Sequence, residues 1–351
     1  MKKPNFFIVG AARSGTTSLW AYLKCHPQVF MPADELFKEP TYFSHDCGQR
    51  FDLNSYLALF DEANPMQKWL GEASVAYLTD PESAQRIYDF APSAKIIILL
   101  RNPADRAYSL YNWMVQDGYE YAPSFEEALK LEESRFIDKR AHWFKPNYYW
   151  GYLYYRSGLY CNQVKKYLDL FKENVLIIPF EDLAMNPAPA YEKVCSFLNI
   201  PPAQVPFHIF NSSRAVYSPK LTFVLRKLNN YILNEKKMGK PFSDIHHSIK
   251  DHYTEIVDKL SLVIGFRMYE KIIGAIILRK VTAHLRDLSL NHPHHINNTK
   301  EVRDWLLNFG LKAGPPPPIK NKTRIRLLLQ YACDVEKLSQ LTRMDFSPWL
   351  F

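Results

Sequence analysis

A chain of 351 residues, 47% of them hydrophobic, is long enough to bury a full core and too apolar to default to disorder. Its net charge of +8 directs it toward anions, whether nucleotides, sulfated or phosphorylated molecules, nucleic acid or a membrane surface, without choosing among them. Five cysteines with no CxxC pair fit a reducing compartment, Arg13 interrupts the apolar run that follows Lys2 and Lys3 and so argues against a secretory leader, and no segment reaches the ~18 uninterrupted apolar residues of a membrane span.

In chain order, Phe6 to Val9 is a short β-favouring apolar run broken by Gly10. From Ser14 the sequence tolerates helix, with Leu19, Trp20 and Leu23 as its apolar positions. Asn5 to Leu23 therefore reads as strand, tight turn and helix. Such a junction binds anions, because unpaired N–H groups converge at the first helical turn, the helix dipole adds positive charge, and Gly15 lets the backbone come close. The spacing Gly10-x4-Gly15 matches the glycines of the nucleotide P-loop, but Thr16 stands where that motif needs lysine. Arg13 supplies a guanidinium inside the turn instead, beside the hydroxyls of Ser14, Thr16 and Thr17.

Cys25 to Pro40 is punctuated by proline and reads as a loop with an extended piece at Gln28 to Met31, ending in the compact cluster Lys38-Glu39-Pro40-Thr41-Tyr42-Phe43. A short helix is expected around Tyr56 to Phe60, and a second strand from Lys68 to Ser74 carries Glu72. Asp80-Pro81 starts a helix that runs to Phe90. Lys95 to Leu100 is uniformly apolar after its lysine, as a parallel strand covered on both faces should be, and it stops at Arg101-Asn102-Pro103. Helices are expected next, one carrying Tyr108, Tyr111 and Trp113, then from about Phe125 to Ile137 and from Trp150 to Phe171, followed by a strand at Asn174 to Phe180 and a helix around Ala190 to Leu198. From Ser218 to Leu290 the pattern is helical and basic, residues 291 to 323 read as a linker, and a last helix spans Arg324 to Leu341. The alternation of strand and helix predicts an α/β fold: a central parallel sheet flanked by helices, a P-loop-like nucleotide-binding core, and a helical C-terminal extension.

In a parallel sheet, ligands sit beyond the C-terminal strand ends. Three of the strands finish there in polar groups: Arg13 after the first, Glu72 at the second and Arg101 after the third. The helix that follows Arg101 carries Arg106 and then Ser109, so the Arg101 guanidinium and the Ser109 hydroxyl can grip a further phosphate. The plain alternative for Arg101 is a surface ion pair or a helix cap.

The loop Arg13 to Ser18 together with the Arg101-x7-Ser109 pair resembles the sulfotransferases that use 3′-phosphoadenosine 5′-phosphosulfate as sulfuryl donor. Lys38 to Phe43 is similar to that family's catalytic-base segment, Gly71-Glu72-Ala73-Ser74-Val75-Ala76-Tyr77 to its second-strand segment, and Asp345-Phe346-Ser347-Pro348-Trp349 to an ending found in bacterial members. The resemblance covers about residues 5 to 215 and 315 to 350. It implies that Arg13, Ser14, Gly15, Thr16, Thr17 and Ser18 bind the 5′-phosphosulfate and that Arg101 and Ser109 bind the 3′-phosphate, with Arg214 as a late basic residue reaching the same group. It also implies release of 3′-phosphoadenosine 5′-phosphate with no metal ion. One departure stands out: many carbohydrate-modifying relatives carry lysine where this chain has Ala73, which leaves Arg13 and Lys38 to supply the cation at the leaving phosphate.

Moving a sulfuryl group to an alcohol needs a base at the acceptor hydroxyl and positive charge on the transferred group. Glu39 is the expected base, with His45 the alternative because imidazole titrates near neutral pH. A surface Lys–Glu pair is the plain alternative for Lys38 and Glu39. His292 to His295 has proline and asparagine neighbours and reads as a solvated loop rather than a metal site. The expected organisation is a core over residues 1–217, a helical insertion over 218–314 bearing an acceptor or homodimer surface, and a C-terminal helix over 315–351 completing the core. The reading is a cytoplasmic sulfotransferase acting on a hydroxyl of a small natural product or a carbohydrate, with no nucleic-acid partner. Its rivals are a P-loop kinase or NTPase and a non-catalytic binder of anionic polymers.

Overall fold

The computed structural model describes residues 2–32, 38–44, 52–116, 119–137, 149–207 and 317–351. Five strands form one parallel sheet, β1 (Phe6–Gly10), β2 (Val29–Phe30), β3 (Trp69–Glu72), β4 (Lys95–Leu100) and β5 (Val175–Pro179), in the order β2-β3-β1-β4-β5. The helices among the described residues are α1 (Thr16–Lys24), α2 (Leu53–Ala58), α3 (Ala76–Thr79), α4 (Ser83–Phe90), α5 (Pro103–Gln116), α6 (Phe125–Ile137), α7 (Tyr160–Phe171), α8 (Phe180–Met185), α9 (Pro187–Phe197) and α10 (Asn321–Thr342). This is the α/β architecture that the alternating pattern predicts.

Every residue of β1 is buried, and in β4 only Lys95 is partly exposed. Alternate side chains face alternate sides. Phe6 and Ile8 of β1 thus join Ile97 and Leu99 of β4, Ile178 of β5, Leu19 and Trp20 of α1, and Tyr191 and Val194 of α9 in one apolar cluster. The register between β1 and β4 slips between Ile8 and Gly10, and the Ala11 N–H donates to the Leu99 carbonyl at 2.6 Å. The slip bends the end of β1 into the turn at Arg13.

The structure corrects several element boundaries. The stretch expected as one helix from Trp150 to Phe171 is two 3₁₀ turns, Tyr149–Tyr152 and Arg156–Gly158, followed by α7. Buried side chains hold this backbone away from helix: Arg106 donates to the Tyr154 carbonyl at 2.7 Å, and the Glu132 carboxylate accepts from the Tyr155 and Arg156 amides at 2.8 and 2.7 Å. Asp80 caps as expected, accepting from the Glu82 and Ser83 amides at 2.9 and 3.0 Å, but α4 starts at Ser83 and is preceded by the unexpected short helix α3. The extended piece near Gln28 becomes edge strand β2, and the last helix begins at Asn321.

The chain divides into two compact units, one formed by 1–111, 123–213 and 318–351, the other by 112–122 and 214–317. In the first, α10 packs on α7: the Tyr331 hydroxyl donates to the Tyr155 carbonyl at 2.8 Å, and Asp334 accepts from the Cys161 amide at 3.2 Å at the start of α7. The helical insertion expected at 218–314 lies outside the described residues.

Candidate active site

The turn after β1 is built for close approach. Gly15 precedes α1 in the left-handed region, at φ 85°, and no side chain caps the helix. The backbone conformation favours glycine, and a β-carbon there would lie 3.0 Å from the Leu183 side chain and 3.1 Å from that of Phe180, a tight fit that those side chains would have to ease by a few tenths of an ångström. The Ser14 hydroxyl is fully buried and has no hydrogen-bond partner among the described residues. A buried hydroxyl without a partner beside an uncapped helix start fits an oxyanion that would satisfy both.

Two cations meet here, Arg13 within the turn and Arg101 at the end of β4. The Arg13 Nε donates to Ser109 Oγ on α5 at 3.2 Å, and the Arg101 Nη1 donates to the Arg13 carbonyl at 3.2 Å. Ser109 therefore joins the Arg13 side chain, and the two grips expected from separate strand ends form a single cluster. The Arg101 guanidinium lies over the Phe180 ring, 4.7 Å from its centroid, and the Tyr160 hydroxyl donates to the Arg101 carbonyl at 3.0 Å. Burial pulls the Arg101 pKa below the ordinary arginine range, with Asp105 opposing. The neighbouring Arg106 is buried and directed to Tyr154 and Ser157, so it serves the fold rather than this cluster.

A third cation arrives from the loop beside β3. Lys38 Nζ donates to Thr17 Oγ1 at 3.0 Å and to Glu39 Oε1 at 3.1 Å, which ties α1 to the carboxylate. The Lys38 side chain is 8% exposed and that of Glu39 34%, so the ammonium is enclosed while the carboxylate reaches open space. The loop docks on β3 through the Ala73 amide, which donates to the Lys38 carbonyl at 3.1 Å. Ala73 is buried and contributes no charge, so in this structure Lys38 is the cation placed between the turn and Glu39. His45 and Arg214 lie outside the described residues, as does His292 to His295.

Glu72 is more deeply built in than a strand-end acid suggests. It is fully buried and accepts from the hydroxyls of Tyr56 and Tyr77, each at 2.8 Å, and from that of Ser74. Burial pushes its pKa up to about 7 against those three hydrogen bonds, and the charge of Glu39 adds to the rise. Phe180 under Arg101, Tyr160 behind it and the hydroxyl set around Glu72 escaped the sequence reading. The spacing of Ser74 and Tyr77, two and five residues after Glu72, was the available signal. The C-terminal segment also reaches the strand ends: Asn102 Nδ2 donates to the Trp349 carbonyl at 2.8 Å, and the Trp349 ring packs edge-on against Tyr160 at 6.2 Å.

The chain is similar to a family of known proteins. Residues 3–215 match the family described as the sulfotransferase domain. The chain is 28% identical over 228 residues to the bifunctional heparan sulfate N-deacetylase/N-sulfotransferase 4 of Mus musculus, covering 63% of this chain and 24% of that protein. It is 26% identical over 226 residues to the heparan sulfate glucosamine 3-O-sulfotransferase 5 of Mus musculus, covering 64% of this chain and 62% of that one. The crystal structure of a sulfotransferase from Alicyclobacillus acidocaldarius is 32% identical, with a TM-score of 0.52 over 77% of this chain and 98% of that chain. The chain thus spans about a quarter of the length of the first of these relatives.

Proposed function

The chain belongs to the sulfotransferase family, and from that premise we propose that it moves a sulfuryl group from 3′-phosphoadenosine 5′-phosphosulfate to a hydroxyl of a carbohydrate or a small natural product. The observation that carries this reading is the gathering of Arg13, Lys38 and Arg101 around the uncapped start of α1, with Glu39 bonded to Lys38. The donor, when bound, supplies an activated sulfuryl group. Ser14, Gly15, Thr16, Thr17 and Ser18 would hold its 5′ end through amides and hydroxyls, while Arg101 and Ser109 would hold the 3′-phosphate.

Glu39 then takes the proton from the acceptor hydroxyl as the oxygen–sulfur bond forms and the bond from sulfur to the phosphate oxygen breaks. Lys38 and Arg13 offset the charge that collects on the leaving phosphate, in place of the lysine that Ala73 lacks. Carbohydrate acceptors are favoured by the names of the heparan sulfate relatives. Incubation with sulfur-labelled donor and a panel of oligosaccharides and small alcohols tests the reading. One mole of bisphosphate released per mole of labelled acceptor is expected. Magnesium-dependent ATP turnover without sulfuryl transfer would replace the proposal with the P-loop kinase or NTPase reading.

A further inference from the structure

The loop that carries Glu39 is anchored at its far end by Ser44, which donates to Asp80, and by the Phe43 carbonyl, which accepts from Ser83 and Arg86, while two further chains of hydrogen bonds from Thr41 and Phe43 converge on one carboxylate. The Thr41 amide donates to Ser74 Oγ at 3.0 Å, and Ser74 Oγ donates in turn to Glu72. The Phe43 amide donates to the Tyr77 hydroxyl at 3.3 Å, and that hydroxyl donates to Glu72 at 2.8 Å. Each hydroxyl has one hydrogen; because it accepts from a loop amide, the direction left for its own hydrogen is toward Glu72. Both chains therefore run amide to hydroxyl to carboxylate, and Glu72 is the acceptor at which they end. A third hydroxyl, from Tyr56, donates to Glu72, and the Tyr56 ring stacks on Tyr42 of the same loop at 4.4 Å and 9°.

The loop needs such fastening. Thr41, two residues after Glu39, sits in the left-handed region at φ 55°, a conformation that a β-branched residue adopts only under external constraint. We propose that Glu72 is a positioning residue for Glu39, holding the loop 38–44 in place through the Ser74 and Tyr77 hydroxyls while touching no substrate itself. This rests on the reading of Glu39 as the base. It assigns a function to a buried carboxylate that the transfer chemistry does not use, and it explains why three hydroxyls surround an acid that has no ion-pair partner among the described residues. The groups that face Glu72 are Tyr56 from α2, Ser74 and Tyr77 from the β3–α3 segment, Glu39 from the loop itself, and Tyr167 from α7.

The test uses the full chain with Ser74→Ala and Tyr77→Phe, each of which removes one relay and leaves Glu72 and Glu39 in place. Hydrogen exchange should show the amides of 39–44 exchanging about tenfold faster or more, with residues 5–24 unchanged. The affinity for 3′-phosphoadenosine 5′-phosphate should stay within about twofold, which also reports that the variants fold. With the acceptor labelled in the transfer assay, kcat should fall by up to about 100-fold, as misplacement of a reacting group does, and neither substitution should lower the residual rate further in a Glu39→Gln background. Unchanged exchange over 39–44, or an equal loss of rate with and without Glu39, overturns the inference. Full turnover by Glu39→Gln alone overturns instead the reading of Glu39, and the exchange experiment then still decides whether Glu72 holds the loop.

Discussion

At the scale of single residues, the site separates groups that face open space from groups that hold them. Glu39 is the only member of its pair that reaches outward, and Lys38 links it to Thr17. Glu39→Gln should lower kcat by about 100- to 10,000-fold, the usual loss for a general base, with bisphosphate affinity nearly unchanged in a titration. Glu72 should show itself in stability. Its pKa is raised from 4.5 to about 7, so the folded state holds a proton that the unfolded chain has released between those two values. The contribution of Glu72 to stability is thus fully present below pH 4.5 and is lost as pH rises through about 7. Glu72→Gln should flatten the pH dependence of the denaturation midpoint across that window; an unaltered slope would assign the titration elsewhere. Arg13, Arg101 and Glu39 were legible because each stands beside a strand end or a loop motif. The hub at Glu72 was not, because it depends on Tyr56 and on a loop some thirty residues upstream, and no local pattern records such a meeting.

At the scale of elements, β1 and β4 were legible because a strand buried on both faces must be apolar throughout. The stretch before α7 misled because helical composition was overruled by Arg106 and Glu132, which bind its backbone from other elements. The turn before α1 depends on one glycine. Gly15→Ala should cost about 1 to 3 kcal/mol in chemical denaturation, from the left-handed backbone alone, and should weaken bisphosphate binding as the turn adjusts to relieve that strain and the tight contacts with Leu183 and Phe180. The C-terminal 3₁₀ turn, Ser347–Leu350, carries the largely buried Trp349 against Tyr160 and Phe346. Trp349→Ala should therefore lower stability by about 3 to 5 kcal/mol, as truncation of a large core aromatic does.

At the scale of the whole molecule, the site is assembled from positions distant in sequence, 13–18, 38–39, 72–74 and 101–109, with Tyr160, Phe180 and Trp349 behind them. A parallel sheet achieves this by delivering successive strand ends to one edge. The family and the sheet could be read from the sequence because the phosphate turn and the apolar strands are contiguous motifs. The acceptor could not, since acceptor pockets are made by loops and helices that vary independently of the fold. The net charge of +8 adds a general attraction for anions that salt will screen, whereas the contacts of Arg13 and Arg101 should persist because both are partly buried.

We propose that the strand ends form one site for a nucleotide phosphorylated at both its 5′ and 3′ positions. Calorimetric titration of the full chain with 3′-phosphoadenosine 5′-phosphate, AMP and ATP tests it most directly. Loss of two charge-assisted hydrogen bonds to the 3′-phosphate is worth about 3 kcal/mol or more, so the bisphosphate should bind about 100-fold more tightly than AMP, and Arg101→Ala should remove most of that difference. Equal affinity for the bisphosphate and AMP, or tighter binding of ATP, would rule out a 3′-phosphate site at Arg101.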